Sequence, residues 1–167
     1  NIGVHVSGFS VNGKEYQSVQ PRVSTRLTIT PNWSLKAAYS EMTQYIHLLS
    51  NSSIGLPTDL WLPTTDSIKP QDAVQYAAGT AISIGAYDLS VEGYYKYMTN
   101  LIEYKEGASF MEVDTDWEDK VEIGEGWSYG AEIMLEKKTG KTTGWIGYTL
   151  AWAWREFDNI SFGEKFP

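Results

Sequence analysis

The chain has no cysteine among its 167 residues. Disulfide staples, thiolate metal ligands and cysteine nucleophiles are therefore excluded. It also lacks any apolar run of about 18 residues, the length a helix needs to cross a bilayer. Histidine is scarce, with only His5 and His47, far apart in sequence. Neither a His-Glu-x-x-His zinc motif nor a Gly-x-Ser-x-Gly nucleophile elbow occurs. Positive charge is in deficit: 13 Lys and Arg against 21 Asp and Glu give a net charge of -8. That sign repels a phosphate backbone, so no nucleic-acid partner is expected. No cofactor and no enzymatic activity are expected either.

Aromatic residues are plentiful, at 14% of the chain, and include 11 Tyr and 7 Trp. Tyr and Trp favour strands and also membrane interfaces, where one end of the ring is apolar and the other polar. Apolar content is only 42%, which suits strands that alternate between two unlike faces. Seven stretches alternate in this way. Val23, Thr25, Leu27 and Ile29 share one face, against Arg22, Ser24, Arg26 and Thr28. The same pattern runs through Trp33–Tyr39, Tyr87–Tyr97, Trp127–Leu135 and Gly144–Trp154, and more weakly through Ile2–Val11 and Val74–Ile84. The charges Arg22, Arg26, Lys36, Glu92, Lys96, Glu132 and Glu136 all fall on the polar side. Aromatics gather toward the ends of the apolar side, with aliphatic residues between.

Short and long connections take turns along the chain. Thr30-Pro31-Asn32, Gly85-Ala86 and Lys138–Lys141 are short; Asn12–Gln20, Ser50–Gln71 and Lys105–Gly126 read as long polar loops. In an up-and-down sheet every second connection emerges on the same edge. One edge is then trimmed and the other elaborated, as in outer-membrane barrels. The expected fold is all-β: an antiparallel meander of about seven strands forming a section of a large transmembrane β-barrel. Such single-chain barrels use even strand numbers, and neither Asn1 nor Pro167 reads as a natural terminus. Residues 1–167 are therefore expected to be one partial barrel domain, without signal peptide or plug.

Several phrases, in order, resemble the TonB-dependent outer-membrane receptor family. They are Ser18–Ser24 (SVQPRVS), Trp33–Ser40 (WSLKAAYS), Gln44–Asn51 (QYIHLLSN), Leu62-Pro63 with Ile68–Gln71, Ser90–Lys96 (SVEGYYK), Gly126–Gly130 (GWSYG) and Gly144–Leu150 (GWIGYTL). The resemblance implies a barrel of about 22 strands with a plugged lumen, energised by the TonB system and taking up a nutrient. The implied partners are that nutrient, outer-membrane lipid and the TonB system, the last through parts absent from this chain. Pro21 is expected at a strand start, where its missing N–H is tolerated.

Two loops carry candidate ligand residues. In Ser50–Gln71, Trp61 lies among Pro57, Pro63 and Pro70; an aromatic on a stiffened loop can stack on a sugar or pack its own loop. Trp117 is a second candidate in the acidic 103–125 loop, where Asp114, Asp116 and Glu118 alternate. Extended backbone puts those three on one side, and hard cations take several oxygen ligands, although the EF-hand pattern is not met. A soluble carbohydrate- or metal-binding β-module using these loops is the alternative reading. Glu92 and Glu132 also invite comparison with a glycosidase pair, but alternation assigns them to a wet sheet face. Cut from a barrel, such a segment would be expected to self-associate.

Overall fold

The computed structural model describes residues 1–50, 59–106 and 116–167, with nothing stated for the Ser50 side chain. Nine strands follow in chain order: β1 (Ile2–Val11), β2 (Lys14–Thr30), β3 (Trp33–Gln44), β4 (Ile46–Ser50), β5 (Asp59–Pro63), β6 (Gln71–Ile84), β7 (Tyr87–Tyr104), β8 (Val121–Lys137) and β9 (Gly144–Glu156). Seven of them form one sheet, β1-β2-β3-β6-β7-β8-β9, antiparallel throughout. The expected seven-strand meander is the observed one. The remaining two, β4 and β5, make a separate hairpin inside the connection from β3 to β6.

Turn chemistry pins the register. Gly85 has φ of 60° between Ile84 and Tyr87, which pair directly across a two-residue turn. Glycine at the first turn position with positive φ suits a tight hairpin. Asn12 and Gly13 both have positive φ, 48° and 84°, between the paired Val11 and Lys14. That is the Asn-Gly hairpin turn whose twist matches its strands. It corrects the expected long Asn12–Gln20 connection, because Lys14–Gln20 is strand. The segment read as loop because its side chains are polar on both faces. Pro21 is also not a strand start. It lies within β2, and pairing to β3 begins at the next residue, Arg22 with Ser40.

Residues directly opposite one another in an antiparallel pair share a face, so register converts into transverse rows. One row runs through all seven strands: Ile2, Val23, Tyr39, Tyr76, Tyr95, Tyr129 and Trp152. Toward the long connections the same face continues as Tyr97, Trp127 and Trp154. Toward the short turns it becomes Leu27, Leu35, Thr80, Val91, Ile133 and Tyr148, then Trp33, Ile82, Leu89, Leu135 and Ile146. Ring contacts knit the aromatic band: Tyr39 to Tyr76 at 5.2 Å, Tyr129 to Trp152 at 5.6 Å and Tyr97 to Trp127 at 5.7 Å between centroids. Each such pair contributes about 0.5–1.5 kcal/mol beyond its burial.

No other layer of the described residues covers this face. Leu27 is 59% exposed and Ile146 73% exposed, far more contiguous apolar surface than a soluble monomer presents. The buried core lies elsewhere. Leu49, Leu62, Ile68, Ile102 and Val121 form it, with Tyr104 and Trp117 packed against it. It joins the β4–β5 hairpin to the overshooting ends of β7 and β8 at the long-connection edge. Bare apolar surface and the outer edges of β1 and β9 both invite association. Residues 1–167 produced alone in plain buffer are therefore expected to self-associate; a stable monomer by light scattering would contradict this.

Candidate functional site

Two places concentrate chemistry: the lobe on the long-connection edge and the charged face of the sheet. The lobe is tied to the β1–β2 hairpin through several contacts. The Tyr45 ring stacks on Phe9 at 5.3 Å, and its hydroxyl lies 2.9 Å from Ser7 Oγ. Tyr16 donates its hydroxyl proton to the Thr65 carbonyl at 2.6 Å, and Lys14 Nζ donates to the Asp66 carbonyl at 2.9 Å. On the other side Asn100 Nδ2 donates to the Pro70 carbonyl at 2.8 Å. The polar Lys14–Gln20 stretch is thus a strut holding the lobe in place.

His47 is almost wholly buried in the lobe, at 1% exposure, beside the equally buried Thr64. It pairs with Leu62 across the hairpin, and its Nε2 is 3.4 Å from Thr64 Oγ1. Burial pushes its pKa below the ordinary value, only partly offset by the Lys69 backbone. Burial thus favours the neutral ring, and its buried Nδ1 has no hydrogen-bond partner among the described residues.

Trp61 pairs with Leu48 on the opposite face of this hairpin and is 63% exposed. Ile46 and Pro63, paired with each other, share that outer face. Trp117 opens a short 3-10 turn, Trp117–Lys120, and packs half-buried against the core. The two tryptophans thus do different things: one is presented, and the other holds the lobe. Asp116 precedes that turn, and its carbonyl accepts the Asp119 amide at 3.2 Å. Glu118 lies within the turn, while Asp114 lies outside the described residues. Among the described residues no group of three or more His, Asp or Glu is arranged to hold a metal ion.

The opposite sheet face carries charge in register. One row reads Arg26, Lys36, Gly79, Glu92, Glu132 and Thr149 across β2, β3, β6, β7, β8 and β9. Every charge that alternation assigned to the polar side lies on this face. Lys36 and Glu92 form an ion pair at 3.2 Å although β6 runs between them. Gly79 makes this possible. A Cβ there would stand 2.6 Å from Glu92 Cγ and 2.8 Å from the Val91 carbonyl. Sequence reading missed this trio, although a lone glycine inside a strand is a sign of close approach. Trp145 and Met134 break the polarity of this face near the short turns, through their pairing with Glu136 and Gly147.

A face of apolar residues banded by aromatics, backed by a face of charges, defines a section of transmembrane β-barrel wall. The chain belongs to the TonB dependent receptor-like β-barrel family, whose model matches residues 1–166. Neither the curated proteins nor the solved structures yielded a match. The family is one of outer-membrane receptors that work in transport.

The lobe offers a pH test. A histidine whose folded pKa is depressed binds fewer protons folded than unfolded. Its stabilisation is complete above the unfolded value of 6.5 and is lost as pH falls through the lower folded value. Amide exchange in β4 and β5, corrected for intrinsic rate, is expected to quicken from about pH 7.5 to about pH 5. His47→Leu should flatten that dependence; an unchanged pH profile in the variant would assign it to another group.

Proposed function

We propose that this chain forms part of the barrel wall of a TonB-energised nutrient receptor, with its long connections outside the cell. The observation that carries this reading is the single register through seven strands. It puts the seven-strand row from Ile2 to Trp152 on one face and the row of Arg26, Lys36, Glu92 and Glu132 on the other. In this reading the apolar face meets lipid and the charged face lines the lumen. β2, β7 and β8 are 17, 18 and 17 residues long, while a tilted strand crosses the bilayer in about 9–11. The excess of β7 lies beyond the aromatic row and carries the lobe. Short turns on the other edge match the periplasmic side of such barrels.

Trp61 is the residue proposed to meet substrate first. It is exposed on a hairpin whose other face is locked by its own core. A rigid, presented aromatic binds a flat apolar or sugar face without the ordering cost a floppy loop would carry. No residue here is assigned to plug or TonB contact. The soluble-module alternative shares Trp61 but leaves the bare apolar sheet face unexplained.

Ile133 and Leu89 lie on the face assigned to lipid, so charge there tests the reading directly. Ile133→Arg in the full chain is expected to cost about 2–4 kcal/mol if the site is near the bilayer midplane. Assembly is read by heat-modifiable mobility after folding into detergent or vesicles. Normal assembly of both Ile133→Arg and Leu89→Asp would reverse the facing. Trp61→Ala should leave assembly intact and lower uptake and surface binding of the cognate nutrient. Unaltered uptake would remove Trp61 from the site.

A further inference from the structure

We propose that Arg26 and Lys36 form a lumenal site for a carboxylate group of the transported molecule, with Glu92 as its internal stand-in. The inference rests on the receptor reading above and names the chemistry of one group on the substrate. Arg26 and Lys36 are directly opposite in the β2–β3 register. Two cations so placed have Cβ atoms about 4.5–5.5 Å apart and repel each other. Only one is relieved internally. Lys36 holds Glu92, whereas Arg26 has neither an ion pair nor a side-chain hydrogen bond among the described residues.

The space beside them is a shallow hollow of about 470 Å³. Its floor on this face is Ala38, Ala77 and Gly79, with Ser24 at its side. Small residues leave room there for the body of a ligand. A guanidinium presents a planar fork to a carboxylate, and an ammonium adds a compact charge. Glu92 already shows the recognition from within, since it crosses the bare backbone of Gly79 to place a carboxylate oxygen 3.2 Å from Lys36 Nζ.

The internal contact is built to yield. Its two side chains are 45% and 48% exposed, and an ion pair so solvated is weak. An incoming carboxylate gains Arg26 as well as Lys36 and so displaces Glu92. Displaced, Glu92 is left directly opposite Glu132, where like charges repel. That repulsion drives Glu92 back to Lys36 and expels the ligand. Such a site holds a passing molecule briefly and releases it, as a wall along a transport path must.

Citrate is the probe, titrated calorimetrically into the full chain in detergent micelles at constant ionic strength. Glu92→Gln removes the competitor and is expected to tighten citrate binding roughly tenfold, while Lys36→Met and Arg26→Met each weaken it roughly tenfold. Opposite signs from one hollow separate the proposal from general damage to the fold. Equal affinity in all four proteins, or weaker binding by Glu92→Gln, overturns the carboxylate site and leaves the receptor reading standing. The receptor reading falls separately, if the full chain is a soluble monomer without detergent.

Discussion

Everything in this molecule depends on cross-strand register. A strand slipped by one residue turns its whole side-chain set to the other face. Here a slip of β3 would put Lys36 among the apolar rows and Leu35 among the charges. In lipid there is no water to soften that error, because backbone and side-chain polar groups must be satisfied within the protein. The register is held from both ends. Glycine and asparagine in left-handed conformations close two of the hairpins without slack, and the aromatic row adds ring-to-ring contacts along the middle. The row of tyrosines is therefore both a consequence of register and one of its locks.

The sheet was legible because its two environments differ so sharply. Leu27 against Arg26, or Ile133 against Glu132, announces a strand with one oily side and one wet side. Legibility fails where the environment becomes uniform. Lys14–Gln20 rises past the aromatic row into a polar setting, so its strand has no hydrophobic period. The Asn12-Gly13 signal was present but was outweighed by that polarity. β4 and β5 fail for the opposite reason. Ile46, Leu48, Trp61 and Pro63 are apolar on the outer face, and Leu49, Leu60 and Leu62 on the inner, so five-residue segments show no alternation at all. The lobe core joins Leu49, Leu62, Ile68, Ile102 and Val121 from three separate segments. No local pattern encodes such a meeting.

Glycine carries a second lesson. On the charged face Gly79 lets Glu92 cross a whole strand, and Gly130 leaves room for the Tyr94 ring, whose edge would stand 3.0 Å from an added Cβ. Missing side chains thus determine where the remaining ones reach. Neither effect shows in composition or period, yet both shape the wet face more than its charges alone. A row of two cations and two anions sums to zero, but in this order it places like beside like twice and unlike beside unlike across a gap.

The two edges of the sheet obey different physics. On the trimmed edge the chain needs only to reverse, and the β2–β3 and β6–β7 hairpins do so in two residues. On the elaborated edge the proposed binding surface is held away from the sheet. A loop of free polar residues could not hold it, since each ordered residue costs conformational entropy. The lobe solves this with a small core of its own, a buried neutral histidine and a polar strut from the β1–β2 hairpin. Trp61 can then stay exposed because the opposite face of its hairpin supplies the stability. Separating the stabilising face from the presenting face is what allows a residue as apolar as tryptophan to remain exposed.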